Sequence, residues 1–112
     1  TVFFNFKMIA NMNIITPENA EKVPFALNGR KMYSSPTAEI VHLTLKPGET
    51  VDRHSNPFDV VFYMLEGEAT IEIDGVKAIL KTDCCLEVKR DRPRGMSNNT
   101  GKDVRILVFK LF

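Results

Sequence analysis

The sequence predicts an all-β protein, either a sandwich or a barrel, that forms a single domain. Short segments of apolar or alternating polarity recur along the chain, with turn residues between them. Helix signals are nearly absent, and no internal repeat, linker or block of charge divides the 112 residues. Many short strands at regular spacing indicate a sandwich or barrel. The composition, 44% hydrophobic and 26% charged, is that of a globular domain and argues against a disordered chain.

Six segments have the character of strands, in chain order: Ala38–Leu45, residues 60–65, Ala69–Ile73, Val76–Leu80, residues 84–88 and residues 104–109. The first is rich in β-branched and apolar residues. The second, VVFYML, is a continuous apolar run, which predicts a strand buried on both faces. The third alternates, so that Ile71 and Ile73 share one face and Thr70 and Glu72 share the other.

Turn residues separate several of these segments. Pro47-Gly48 ends the first strand. Asp74-Gly75 predicts a hairpin with a type I′ turn, and residues 98–101, NNTG, predict a further turn. Near the N-terminus, Thr16 as N-cap and Pro17 at the first helical position predict a single helical turn.

The first eleven residues differ in character from the rest of the chain. They contain three phenylalanines within the first six residues, but they lack the basic start and long apolar run of a signal peptide. Met12 reads like a natural start. We therefore predict that residues 1–11 are a leader or an N-terminal extension and that residues 12–112 form the single domain. The alternative is an edge strand whose phenylalanines need a partner surface.

The charge balance and the cysteine content limit the classes of partner and the cellular compartment that we expect. Fifteen Lys and Arg balance fourteen Asp and Glu, so the net charge of +1 provides no bulk attraction for nucleic acid. No apolar stretch approaches the roughly 18 residues that span a membrane. We predict neither nucleic acid nor a membrane as a partner. Cys84 and Cys85 are adjacent in the sequence and are poor partners for one disulfide bond. We therefore predict that both are small, buried core residues. The lack of a disulfide framework also predicts a protein of the reducing cytoplasm.

Two segments resemble the motifs of the cupin superfamily. Residues 47–75, PGETVDRHSNPFDVVFYMLEGEATIEIDG, resemble the first cupin motif. Residues 83–101, DCCLEVKRDRPRGMSNNTG, resemble the second. The resemblance implies a single-domain double-stranded β-helix, also called a jelly-roll barrel, with a cavity between its two sheets. We also expect a homodimer, because jelly rolls have sheet edges and apolar outer faces to protect.

The resemblance also implies the positions of a metal site. Cupins commonly bind Fe, Mn, Ni or Zn through three His and one Glu. His54 occupies the place of the first His and Asn56 that of the second, while the Glu place falls on Val60. The last His place falls on Arg94, or on Gly95 after a shift of one residue. Because one ligand of four remains, we predict no metal and no other cofactor.

The alternative is one transition metal (Fe, Mn, Ni or Zn) held by His54 and Asn56 with substitute donors. Other donors in the chain that could complete a non-standard set are His42, Asp59, Cys84, Cys85 and Met96.

The function that the sequence favours is binding of a small molecule, anionic or sugar-like, in the barrel cavity. The basic residues 89–94 lie by the cavity mouth in the cupin interpretation and suit a carboxylate or phosphate, although such a run is more often a solvated loop. His42 reaches the cavity only if the strand face that it shares with Ile40 and Thr44 is the inner one. The predicted ligand-binding residues are His42, His54, Asn56, Tyr63, Arg94 and Met96.

Whether the protein is an enzyme is left open by the sequence. A metal-independent isomerase or epimerase would use His54 as its catalytic base, because the ordinary pKa of histidine lies near neutral pH. A metal-dependent dioxygenase would need the non-standard ligand set. A purely structural or interaction protein is the remaining class.

Overall fold

The computed structural model describes residues 13–112, which form ten β-strands in two antiparallel sheets. The strands are β1 (Glu21–Lys22), β2 (Asn28–Ser34), β3 (Ala38–Leu45), β4 (Thr50–His54), β5 (Asp59–Glu66), β6 (Ala69–Ile73), β7 (Val76–Leu80), β8 (Cys85–Val88), β9 (Arg94–Ser97) and β10 (Val104–Leu111). The prediction about residues 1–11 falls outside the described residues. Over residues 13–112, no helix has the length and apolar character needed to cross a membrane.

The two sheets pack face to face and enclose the core. The larger sheet has the order β1-β2-β3-β10-β5-β8, and the smaller has the order β4-β9-β6-β7. Alternate residues of the central strands are buried between the sheets, as strand geometry requires. The larger sheet contributes Val41, Leu43, Leu45, Val60, Phe62, Met64, Val104, Ile106 and Val108, and the smaller contributes Ala69, Ile71 and Met96. The predicted all-β class is confirmed for the described residues.

Most of the predicted strands coincide with observed ones. Three agree to the residue, namely β3, β6 and β7, and the predicted segments 60–65, 84–88 and 104–109 lie within two residues of β5, β8 and β10. Asp74 and Gly75 both have positive φ, 51° and 82°, as the type I′ turn demands. At the N-terminal side, the Ala20 amide donates to the Thr16 carbonyl at 2.9 Å, which closes the single predicted turn.

Two expectations are corrected by the fold. Strands β1, β2, β4 and β9 were not predicted, because segments such as TVDRH and RGMS contain no apolar run and no regular alternation. Strand β5 is not buried on both faces. Its inner residues Val60, Phe62 and Met64 are buried, whereas the outward Val61 and Tyr63 are only half-buried. An apolar run does not by itself show how thickly each face of a sheet is covered.

The buried residue Asn98 connects several turns through hydrogen bonds. Asn98 is fully buried, and its amide nitrogen donates to the carbonyls of Leu45 at 2.9 Å and Lys102 at 2.7 Å. Its side-chain oxygen accepts from the Thr100 amide at 2.9 Å and from the Thr100 hydroxyl at 2.7 Å. Its backbone carbonyl accepts from the Gly48 amide at 2.9 Å. The end of β3 and the start of β10 are therefore held by one amide group.

Candidate functional site

A cavity of about 590 Å³ lies between the two sheets. Its wall on the larger sheet is mainly apolar and includes Val41, Leu43, Phe62 and Val108, with Lys110 as its charged residue. The smaller sheet contributes Met96 and most of the polar lining. The cavity thus has an apolar wall and a polar side, and the residues of β4 and β9 determine the chemistry of that polar side.

A β-bulge in β4 turns His54 towards this cavity. Val51 pairs with Met96 and His54 pairs with Arg94, so two residues of β4 lie opposite the single residue Gly95. Without the extra residue, strand alternation would place Val51 and His54 on opposite faces, but both line the cavity. A Cβ atom at Gly95 would lie 3.2 Å from the Val51 carbonyl oxygen, so the glycine gives the bulge its room.

Arg94 is the buried cation of the site. Only 5% of its surface is exposed, and no ion pair involves it among the described residues. The side-chain amide of Asn56 forms hydrogen bonds when its oxygen points towards Arg94. In that orientation Arg94 Nη2 donates to Asn56 Oδ1 at 2.5 Å. Arg94 Nε has no hydrogen-bond partner within residues 13–112. Burial lowers the pKa of Arg94, yet a guanidinium stays charged at neutral pH.

His54 lies at the cavity mouth, directly opposite Arg94 in the strand register. Its Nδ1 atom is 2.9 Å from the Asp52 carbonyl oxygen. Because a carbonyl oxygen only accepts, Nδ1 carries the proton in this hydrogen bond. In the neutral form of the ring, Nε2 is then the nitrogen that can accept a hydrogen bond or a proton.

The structure brings four of the six predicted ligand-binding residues together: His54, Asn56, Arg94 and Met96 all line the cavity. Two predicted positions are corrected. His42 lies on the outer face of β3, because Val41 and Leu43 occupy the inner one. Tyr63 lies on the outer face of β5, and its hydroxyl donates to Asp83 at 3.1 Å. That hydrogen bond and the Asp83 charge raise the pKa of Tyr63.

Within the basic residues 89–94, only Arg94 lines the cavity. Lys89 lies 3.9 Å from Asp59, and Arg92 pairs with Asp74 at 2.5 Å. The other cations of this run therefore belong to an exposed loop, which is the interpretation that the sequence favoured.

The sequence interpretation missed several lining residues. Val23, Phe25 and Leu27 precede β2 and line the cavity without belonging to any recognisable motif. Lys110 also lines it, and its Nζ atom is 3.0 Å from a carboxylate oxygen of Glu39. Lys110 could have been found from sequence, since it shares its strand face with the buried Val104, Ile106 and Val108.

The four metal positions that the cupin resemblance implies do not fit a transition metal here. Val60 is buried and offers no donor atom, and the buried guanidinium of Arg94 would repel a cation. The Asn56 oxygen is engaged by Arg94. Within residues 13–112, no group of three or more His, Cys, Asp or Glu is placed to hold a metal ion.

Of the substitute donors, only the thioether of Met96 lines the cavity. Cys84 and Cys85 are both exposed, which corrects the expectation that they are buried core residues. Cys85 pairs with Tyr63 at the edge of the larger sheet, and His42 faces outward. Short apolar strands such as β8 can lie at a sheet edge, where neither face is fully covered.

Sequence comparisons give two matches. Residues 41–110, more than half of the chain, match the family model described as Cupin domain. The tetracenomycin polyketide synthase protein TcmJ of Streptomyces glaucescens is 31% identical over 67 residues, which are 59% of this chain and 45% of that protein. The chain therefore matches less than half the length of this relative.

Solved structures share the fold. A cupin superfamily protein from Desulfitobacterium hafniense superposes with a TM-score of 0.73 at 19% identity, over 91% of this chain and 92% of the other. A predicted oxalate decarboxylase from Thermotoga maritima gives 0.80 at 14% identity, over 89% and 99%. A Klebsiella pneumoniae protein with a double-stranded beta-helix domain gives 0.77 at 15% identity, over 90% of each chain. The predicted double-stranded β-helix is confirmed.

Proposed function

The chain belongs to the cupin domain family, and from that premise we propose that its cavity binds a small organic molecule that carries an anionic group. The observation behind this proposal is the buried guanidinium of Arg94, whose Nε lacks a partner within residues 13–112. Taking a charge out of water without a counterion costs several kcal/mol, and an unsatisfied buried donor adds to that cost. A carboxylate bound beside Arg94 offsets the first of these costs by supplying the missing counterion.

The rest of the cavity favours an organic acid over a bare ion or a sugar. A volume of about 590 Å³ suits a small organic molecule. The wall formed by Val41, Leu43 and Phe62 offers dispersion contacts and no hydrogen bonds. The proposed ligand therefore places its carboxylate on the polar side, beside Arg94, and its hydrocarbon body against the larger sheet.

The proposal is tested with pairs of ligands that differ only in charge. We expect aryl carboxylates such as 3-phenylpropanoate to raise the melting temperature, and their primary amides to bind about tenfold or more weakly. Isothermal titration calorimetry on the same pairs gives the affinities. The matched control is Arg92→Gln, which removes a guanidinium from the same loop outside the cavity and is expected to change neither affinity. Equal binding of acids and amides would contradict an anion site.

A second candidate function follows from the pairing of His54 with Arg94 in the strand register. A carboxylate held by Arg94 places its α-carbon near the cavity mouth, where His54 Nε2 is free to accept a proton. This arrangement supports the metal-independent isomerase or epimerase, because the guanidinium also stabilises the negative charge that develops when the α-proton leaves. A metal-dependent dioxygenase is not proposed, since the donor set does not fit one.

Isotope exchange distinguishes an enzyme from a binding protein. If His54 is a base, bound carboxylates exchange their α-hydrogen with deuterium from D₂O, and mass spectrometry detects the gain in mass. We expect His54→Gln to reduce the exchange rate by about 100-fold or more while carboxylate affinity stays within severalfold of the wild type. Exchange that persists in His54→Gln would exclude this histidine as the base.

A further inference from the structure

A second recess lies on the outer face of the larger sheet and shares no lining residue with the cavity. Its volume is about 280 Å³. Two guanidinium groups, of Arg30 and Arg105, and the imidazole of His42 line it, and Glu18 borders it from the turn that follows Thr16. We call it the outer-face recess.

Strand register explains why these three basic groups meet. On β3, His42 lies directly opposite Arg30 of β2, and Thr44 lies directly opposite Arg105 of β10. Side chains at such positions point to the same face, and the diagonal neighbours remain within reach of a long side chain. Arg30 and Arg105 therefore approach His42 from the two strands that flank β3.

The two guanidinium groups of the recess do not use all of their N–H donors in hydrogen bonds within the protein. Arg105 Nε donates to His42 Nε2 at 3.3 Å, and its nearest carboxylate oxygen, from Glu66, is 3.9 Å from Nη1. Arg30 donates to the side-chain oxygen of Asn28 at 3.1 Å and to the Ala20 carbonyl at 3.5 Å, and it forms no ion pair with any described residue. Both guanidinium groups thus keep N–H donors for a further acceptor.

We propose that the outer-face recess binds a tetrahedral oxyanion, either a free phosphate or the phosphoryl group of a small organic phosphate, between Arg30 and Arg105. Guanidinium groups that approach from two strands donate to different oxygens of one tetrahedral anion. With neutral His42, the two arginines outweigh Glu18 by one positive charge. Glu66, 3.9 Å from Arg105 Nη1, lies outside this lining, so the lining of the recess keeps a net positive charge even before the histidine is protonated.

His42 couples this binding to pH. It is 5% exposed, and burial together with the Arg105 charge lowers its pKa, against smaller opposing effects of a backbone hydrogen bond and of Glu18. The charged groups around it are Arg30 from β2, Arg105 from β10 and Glu18 from the covering turn, with Glu66 of β5 behind Arg105. Protonation of Nε2 breaks the hydrogen bond from Arg105 Nε, and a bound anion compensates because it accepts from both groups, which raises the pKa of His42. Binding then takes up a proton, and the affinity increases as the pH falls.

The test uses the two histidines of the chain, His42 and His54, as NMR reporters. Sulfate is the first probe, because its charge does not change near neutral pH. We expect the imidazole NMR signals of His42 to shift and saturate with sulfate, and the affinity to be higher at pH 6 than at pH 8. The signals of His54, at the cavity mouth, report separately on any binding beside Arg94. Unchanged His42 signals would overturn the proposal and leave the proposed cavity function untouched.

Variants then assign the contacts. Arg30→Gln and Arg105→Gln are each expected to weaken sulfate binding about tenfold, and Glu18→Gln is expected to strengthen it because a competing carboxylate is lost. Arg90→Gln, a substitution outside the recess, is expected to have no effect. Weaker binding in Glu18→Gln would contradict an anion site. Titrations with inorganic phosphate and with glycerol 3-phosphate identify the source, since tighter binding of glycerol 3-phosphate indicates an organic phosphate and equal binding indicates the free ion.

Discussion

Replacing Arg94 with methionine is expected to remove carboxylate binding while making the protein more stable. Methionine fills much of the volume of the arginine stem and needs no counterion. Substituting buried charges by apolar residues of similar volume is often neutral or stabilising, by about 1–4 kcal/mol. Losing the charged partner of a buried carboxylate costs about 2–5 kcal/mol of binding free energy. Stability and ligand affinity therefore change in opposite directions.

Both effects are measured on the same preparations. Urea unfolding gives the free energy of unfolding, and calorimetric titration with 3-phenylpropanoate gives the affinity. Arg92→Met is the control, because that guanidinium lies on the same loop, is exposed and pairs with Asp74. It is expected to leave carboxylate binding unchanged. If Arg94→Met lowers stability and leaves binding intact, Arg94 has a structural role and the ligand proposal fails.

Substitution of Asn98 by alanine is expected to be among the most destabilising single changes in the chain. The buried carbonyl of Leu45 loses its side-chain partner, and the part-buried amide of Thr100 and carbonyl of Lys102 each lose one hydrogen bond. A buried polar group left without a partner costs about 1–3 kcal/mol, and each further hydrogen bond contributes roughly 1 kcal/mol, so we expect a loss of roughly 3 kcal/mol. For a domain of this size, that lowers the melting temperature by roughly 10 °C or more.

The neighbouring asparagine provides the control for this prediction. Asn99 is exposed on the surface, where its amide donates to the hydroxyls of Thr70 and Ser97, each at 3.1 Å. Asn99→Ala is expected to change the free energy of unfolding by less than about 0.5 kcal/mol. Thermal unfolding followed by circular dichroism compares the two variants. Similar stability of both would show that the buried amide network contributes little.

Local sequence patterns were sufficient to predict several structural features of this protein. Runs of β-branched and apolar residues identified β3, β5 and β10, and Asp74-Gly75 identified the hairpin between β6 and β7. These signals are local, because they depend on backbone preference and on the alternation of neighbouring side chains. The cupin motifs added the double-stranded β-helix and the positions of His54, Asn56, Arg94 and Met96 around one cavity.

The sequence also showed which residues replace ligands of the usual metal site. Valine at position 60 and arginine at position 94 carry no donor for a metal whatever their surroundings. That inference needs only residue identity and the place of each residue in the motif.

Other features were decided only by the tertiary structure. Alternation shows that His42 shares a strand face with Thr44, but only the opposing sheet determines that this face is the outer one. His54 reaches the cavity through a bulge whose signal is one glycine on a different strand. Arg94 is a candidate ligand contact because it is buried without a counterion among the described residues, and no local pattern reports burial. The physical reason is common to all three: residues near in sequence determine which side chains share a face, whereas residues distant in sequence determine what covers that face.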